Sequence, residues 1–338
     1  MATGKNPDHD ELIHIAPEMA VAEADVRPEE AGEFVRGTSL WRDAWRRLLK
    51  NKLAVFGLIV VIIITIASLA GPTVIKRTFG FTADYIPSQD IRMAQSFPPF
   101  TGPDGEFSWL HPMGTDNLGR DQLARVLQGG QISLFVGIIA TLVSLLIGVT
   151  YGAIAGYFGG RIDNVMMRLV DVLYSLPYVI LVIVLLSMFR SQTPRGQLTL
   201  LFVAIGSVSW LTMARIVRGQ ILSLKNQEFV LAARATGVSG GRIIFRHLIP
   251  NTLGPVIVYA TLSIPQIMLT EAFLSFLGFG VQAPLSSWGS LAAEGVQNIG
   301  IFPWQLIFPG VTMALTLFSL NFLGDGLRDA LDPQMRTV

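Results

Sequence analysis

The sequence predicts an all-α membrane protein with six transmembrane helices. Its residues are 51% hydrophobic and only 14% charged, against roughly 25% charged in a typical soluble domain. Apolar stretches recur at about 53–75, 132–157, 165–189, 198–217, 253–277 and 306–324. Each is near the roughly 20 residues a helix needs to cross a bilayer. Lysine and arginine gather beside alternate ends of these stretches, as they do when one side of the membrane is cytoplasmic.

Residues 1–40 are polar and acidic, with Asp8, Asp10, Glu11, Glu18, Glu23, Asp25, Glu29, Glu30 and Glu33. They lack the basic-then-apolar order of a secretory leader and are expected to form a disordered cytoplasmic tail. Residues 41–131 are expected to hold the first span and an external segment. Arg42, Arg46, Arg47, Lys50 and Lys52 crowd the start of that span and place the N-terminus inside. Residues 76–131 then fall outside; they are too long for a simple connection and predict a small external cap.

A core of spans is expected over 132–324. It returns Arg161, Arg168, Lys225, Arg234, Arg242 and Arg246 to the inner side, and residues 325–338 form a cytoplasmic C-terminus. The formal net charge of +1 suggests no nucleic-acid partner, and the absence of cysteine removes disulfides and thiolate chemistry. No metal-binding or catalytic constellation is read from the sequence. A calcium loop on Asp116 and Asp121 would need more oxygen ligands at regular spacing.

The most informative stretch is the loop at 224–250. It reads Glu228-Phe-Val-Leu-Ala232-Ala233-Arg-Ala-Thr-Gly237, then Arg242-Ile-Ile-Phe-Arg246-His247-Leu-Ile249-Pro250-Asn251. Two short helices joined at a glycine are expected. Ala232 and Ala233 offer a small-residue face, Gly237 takes the left-handed conformation, and Ser239 caps the second helix. Ile244 and Leu248 share one face, and Pro250 stops that helix or starts the next span. Such a compact knob suits a groove on a soluble partner.

Within the spans, Glu271 interrupts an apolar run where an unpaired charge is costly, so it must face the bundle or water as a structural or gating partner, or else touch substrate. Asp171 invites the same reading. Pro177 and Pro265 mark kinks, either static or used in gating. Asp116 is a candidate helix cap, and Arg215 and Arg218 are expected to snorkel at the inner edge of the fourth span.

The 228–250 stretch resembles the cytoplasmic coupling loop of bacterial ATP-binding cassette (ABC) importer permeases. Leu231, His247 and Ile249 depart from the general loop toward the peptide-transporter branch. Gly114-Thr-Asp116-Asn-Leu-Gly119-Arg120-Asp121 resembles the signature of that branch's C-type subunits. Three further stretches agree: Leu274-Ser-Phe-Leu-Gly278-Phe-Gly280 with Pro284-Leu-Ser-Ser-Trp288-Gly289, the run from Trp210 to Gly219, and Gly324-Asp325-Gly-Leu-Arg328-Asp329-Ala-Leu-Asp332-Pro333. The likeness runs from about Leu40 to Arg336, within the oligopeptide, dipeptide and nickel permease family.

The resemblance implies the type I importer permease fold in the inner membrane, with both termini cytoplasmic. It also implies a heteromeric complex with a related B-type permease, two ABC ATPase subunits and an external substrate-binding protein, in contact with membrane lipid. Oligopeptides are the implied cargo, with dipeptide, glutathione or nickel import as alternatives. No cofactor is expected on this chain, which has no Gly-x-x-x-x-Gly-Lys-Ser/Thr loop; ATP and Mg belong to the partner ATPases. An ion-coupled secondary transporter would carry a denser relay of buried acids, and a membrane hydrolase a nucleophile and base.

Overall fold

The computed structural model describes residues 40–87, 96–102, 105–189 and 191–332. The acidic tail, Pro103 and residues 333–338 lie outside them. Within these residues the secondary structure is helical, apart from two isolated bridges, Thr101 with Phe107 and Thr115 with Asp121.

A short helix α1 (Leu40–Lys50) meets α2 (Lys52–Phe79) at Asn51. Asn51 is extended, and its Oδ1 accepts from Leu53 N and Ala54 N at 3.1 and 3.2 Å, so the side chain that breaks α1 caps α2. The next helix, α3 (Gln122–Phe158), begins ten residues before the expected second span. Its added turns carry polar groups with polar partners: Gln122 donates to Gln305 O, Arg125 to Asp116 and Glu294, and Gln131 to the Ser68 carbonyl of α2, while Gln128 accepts from Ser286. The cap of α3 is Asp121, whose Oδ1 accepts from Ala124 N at 2.7 Å. Asp116, expected in that role, instead accepts from Leu118 N and Arg120 N, and binds the guanidinium groups of Arg120 and Arg125.

The third apolar stretch is not one straight span. It forms α4 (Gly160–Ser175) and α5 (Tyr178–Met188), bent by 86°. Pro177 supplies the reason: its ring disfavours helical backbone at the preceding residue, and Leu176 is extended at φ −79°, ψ 137°. Pro265, by contrast, stays within a continuous helix. Among the described residues, five helices are long and apolar enough to cross a membrane, or six if the bent pair is one span.

Then come α6 (Pro194–Leu224), α7 (Glu228–Ala235), and α8 (Gly240–Ile243), which runs through a π turn at Ile244–Leu248 into α9 (Ile249–Phe276). A short helix α10 (Trp288–Gln297), not among the expected elements, precedes α11 (Trp304–Leu331). Helix α11 continues through the expected boundary at 324–325.

Helices α3 and α6 form the centre: half or more of their apolar windows is buried, 50% and 56%, against 17% and 22% for α2 and α11. Gly148, Gly152 and Gly156 recur every fourth residue on the α3 face that meets α6. A Cβ at Gly152 would collide with the Ala214 carbonyl, and one at Gly156 would lie 2.9 Å from Ile221 Cβ. Small residues at this spacing let two backbones approach closely, which is where membrane helices gain packing energy when burial from water contributes little.

Candidate functional site

The 225–250 knob is built on the inner ends of α3, α6 and α9. In α7, Glu228 occupies the first turn and Arg234 the last, both favourable to the helix dipole. The helix ends in a Schellman turn: Gly237 N donates to Arg234 O at 3.0 Å, and Val238 N to Ala233 O at 3.1 Å. Gly237 has φ +77°, as this turn requires. Ser239 sits at the start of α8, but its side chain makes no capping bond. Thr236 Oγ1 adds bonds to the Ala232 and Ala233 carbonyls at the same corner.

The expected two-alanine face divides. Ala233 is buried, whereas Ala232 is exposed, because neighbours on a helix point in different directions. Val230, Ala233, Ile243, Ile244 and Leu248 join Ala153, Met213, Val217 and Ile221 in one apolar cluster. Arg234 lies 5.1 Å over the Tyr157 ring, and Gly240 leaves room for that same ring.

Pro250 lies in the first turn of α9 and starts the span without ending the preceding helix. It cannot donate to Arg246 O, and the ladder widens there, with Ile249 N bonded to Ile244 O. Asn251 Nδ2 covers the His247 carbonyl at 2.6 Å. The outward surface carries exposed Glu228, Ala232, Arg242 and Arg246 with Phe229, Leu231 and Phe245, and half-buried His247. An apolar base thus fixes the knob to α3, α6 and α9 and leaves a charged and apolar crown exposed.

Between the spans lies a cavity of about 450 Å³ at the α4–α5 bend. Ser144, Ser209, Thr212, Tyr259, Gln266 and Thr270 contribute its polar groups, and none of the residues lining it is charged. Pro177 borders it, so the break that bends the third span also opens space at the centre. A second hollow of about 620 Å³ is lined by Ser187, Gln192, Thr193, Gln197 and Gln282 among the described residues.

The other candidate residues do not converge on the knob. Glu271 is fully buried, and its carboxyl accepts from Ser133 Oγ of α3 at 3.0 Å and Ser275 Oγ at 2.6 Å. Ser275 in turn accepts from Val281 N and Ser287 Oγ, and Ser133 from Trp288 N. This knot ties α3, α9 and α10 together, and Glu271 does not line either hollow. Asp171 receives Arg215 Nη2 at 2.7 Å, with that guanidinium 4.0 Å over Tyr174. Arg218 holds Asp163 through two bonds, at 2.5 and 2.7 Å. Both arginines therefore pair with α4.

Several of these partners escaped the sequence reading. Ser275, one turn from Glu271, was legible by its i+4 spacing. Ser133, Ser287 and Asp163 stand more than ten residues from their partners and leave no local signal. The Gly148, Gly152, Gly156 repeat was present in the sequence and went unread. Outside, Asp116, Arg120, Arg125 and Glu294 form a network in which buried Arg125 bridges Asp116 and Glu294 at 2.7 Å each. It clamps the external segment to α3 and α10.

Residues 148–337 match the family described as "Binding-protein-dependent transport system inner membrane component". Residues 39–99 match the "N-terminal TM domain of oligopeptide transport permease C". Among similar proteins, the oligopeptide transport system permease protein OppC of Haemophilus influenzae is 47% identical over 302 residues, 89% of this chain and 91% of that protein. The protein of the same name from Bacillus subtilis is 42% identical over 305 residues, covering 89% and 92%. The dipeptide transport system permease protein DppC of Bacillus subtilis is 45% identical over 300 residues, covering 88% and 87%.

Proposed function

Because the chain belongs to the family of inner membrane components of binding-protein-dependent transport systems, we propose that it forms half of the membrane pathway of an ATP-driven oligopeptide importer. The knob carries this reading. It joins an apolar seat on three spans to an exposed crown suited to a soluble partner. Separate ATPase subunits bind ATP and Mg, grip the crown, and on closing rock α3, α6 and α9 about the central path. Glu228, Ala232, Arg242, Arg246 and His247 meet the ATPase; Ala233, Gly237 and Pro250 hold the shape. A related B-type permease completes the path, and an external binding protein delivers cargo.

The uncharged lining of the hollow at the α4–α5 bend favours peptides as cargo. Hydroxyl and amide groups pair with a peptide backbone of any sequence, whereas fixed charge would select among side chains. The names of its relatives, which include both oligopeptide and dipeptide permeases, agree with this class. Glu271 and Asp171 serve the bundle's structure, not the cargo. Both termini and the knob lie in the cytoplasm, on the charge distribution of the loops.

The test is uptake by proteoliposomes holding the whole complex, with oligopeptides, dipeptides, glutathione and nickel as competing cargo. ATP-dependent uptake of oligopeptides is expected. Uptake driven by an ion gradient without the ATPases would overturn the coupling, and uptake confined to nickel or glutathione would overturn the cargo.

A further inference from the structure

Helix α1 has three faces. Ala44 and Leu48 are buried, packed with Ala54 and Ala330 and against Leu327 and Leu331 of α11. Gly326 supplies the space, since a Cβ there would collide with Ala54 and come within 3.3 Å of Leu48. Next round the helix, Trp45 and Leu49 are one turn apart and 54% and 50% exposed. Beyond them Arg42, Arg46 and Lys50 make an exposed basic row at successive turns, followed by Lys52.

A single residue, Asn51, separates α1 from α2, so α1 must lie at the membrane surface where the first span begins. The exposed apolar residues continue without a gap into Leu53 and Phe56 of that span, 59% and 50% exposed. A tryptophan and a leucine bordered by a basic row match the boundary between acyl chains and headgroups.

We propose that α1 is a docking surface for anionic phospholipids of the cytoplasmic leaflet. Arg42, Arg46 and Lys50 take the headgroup phosphates, while Trp45 and Leu49 enter the upper acyl region. An acidic peptide, such as the segment at residues 1–39, would meet the cations but leave Trp45 and Leu49 in water. A neutral lipid would cover the apolar pair and leave the cations without counter-charge. Anionic lipid satisfies both. Because Ala44 and Leu48 seat α1 on the end of α11, the lipid also braces the inner end of the bundle. The choice of leaflet rests on the orientation proposed above.

The absence of cysteine in the chain makes a clean test available. The whole complex carrying Trp45→Cys, labelled with a fluorophore, is placed in nanodiscs with nitroxide-labelled phosphatidylglycerol or phosphatidylcholine. Quenching from the lipid side is expected at this position, with phosphatidylglycerol preferred by roughly five-fold or more. Adding Arg42→Gln, Arg46→Gln and Lys50→Gln should abolish the preference, while a label at Ile59→Cys, within α2, stays in lipid as the insertion control.

Quenching by aqueous iodide and not by lipid would overturn the proposal, as would equal quenching by the two lipids. Removal of residues 1–39 must leave the pattern unchanged; iodide access gained only on removal would assign the surface to that segment. Labelling of Ser239→Cys from outside would refute the orientation, and with it the leaflet, while leaving lipid-side quenching at residue 45 intact.

Discussion

Gly237 offers the sharpest test of the knob as a mechanical link. Its φ of +77° lies in the left-handed region, and no atom stands within 4 Å of the place a Cβ would take. A substitution therefore meets backbone strain without crowding. For an ordinary L-residue that strain is about 1 to 2 kcal/mol, less for Asn. Gly237→Asn should be mildest, Gly237→Ala intermediate, and Gly237→Val worst, because a β-branched side chain is rare at positive φ. If valine instead opens the turn, the strain is relieved but the bonds from Gly237 N to Arg234 O and Val238 N to Ala233 O are lost, each worth about 1 kcal/mol net. Gly237→Val therefore costs about 2 kcal/mol by either route, roughly a thirty-fold loss in the population of correctly turned knob.

The six spans should still insert, since their contact with lipid does not depend on this turn. The assay is recovery of the ATPases with the complex, together with cargo-stimulated ATP hydrolysis and uptake in reconstituted membranes. Gly237→Val should release the ATPases or leave hydrolysis uncoupled from uptake. Full assembly with coupled transport in that variant, or an identical defect in all three, would refute the reasoning.

Three other outcomes follow from the packing. Glu271→Gln should keep most of the thermal stability of the purified complex, whereas Glu271→Ala should lose about 1 to 3 kcal/mol by stripping Ser133 and Ser275 of their acceptor; loss of uptake for one peptide class alone would indicate substrate contact instead. Gly152→Leu should prevent close approach of α3 and α6 at the Ala214 carbonyl and cost about 1 to 3 kcal/mol or more, read as lost complex recovery from membranes; normal recovery would refute the close-packed face. Asp163→Asn should weaken the tie between α4 and α6 by about 1 kcal/mol, since Arg218 is one-third exposed, and the exchange Asp163→Arg with Arg218→Asp should restore part of it; an exchange no better than either single variant would show that the pair does not act as a unit.

What the sequence by itself determined is what depends on local composition and period. Apolar runs near bilayer length announced the spans, since lipid penalises any backbone that is not internally bonded. Gly237 announced its turn because few other residues tolerate that backbone, and Pro177 announced a break, though not its 86° angle. The tertiary structure decided what distant residues do to one another. It moved the cap of α3 from Asp116 to Asp121 and gave Arg215 and Arg218 their partners on α4. It also split Ala232 from Ala233, and closed Glu271 within hydroxyls from α3, α9 and the segment before α10. The reason is physical: a buried polar group must find its partner wherever the fold delivers one, and that position is set by how helices pack, not by spacing along the chain.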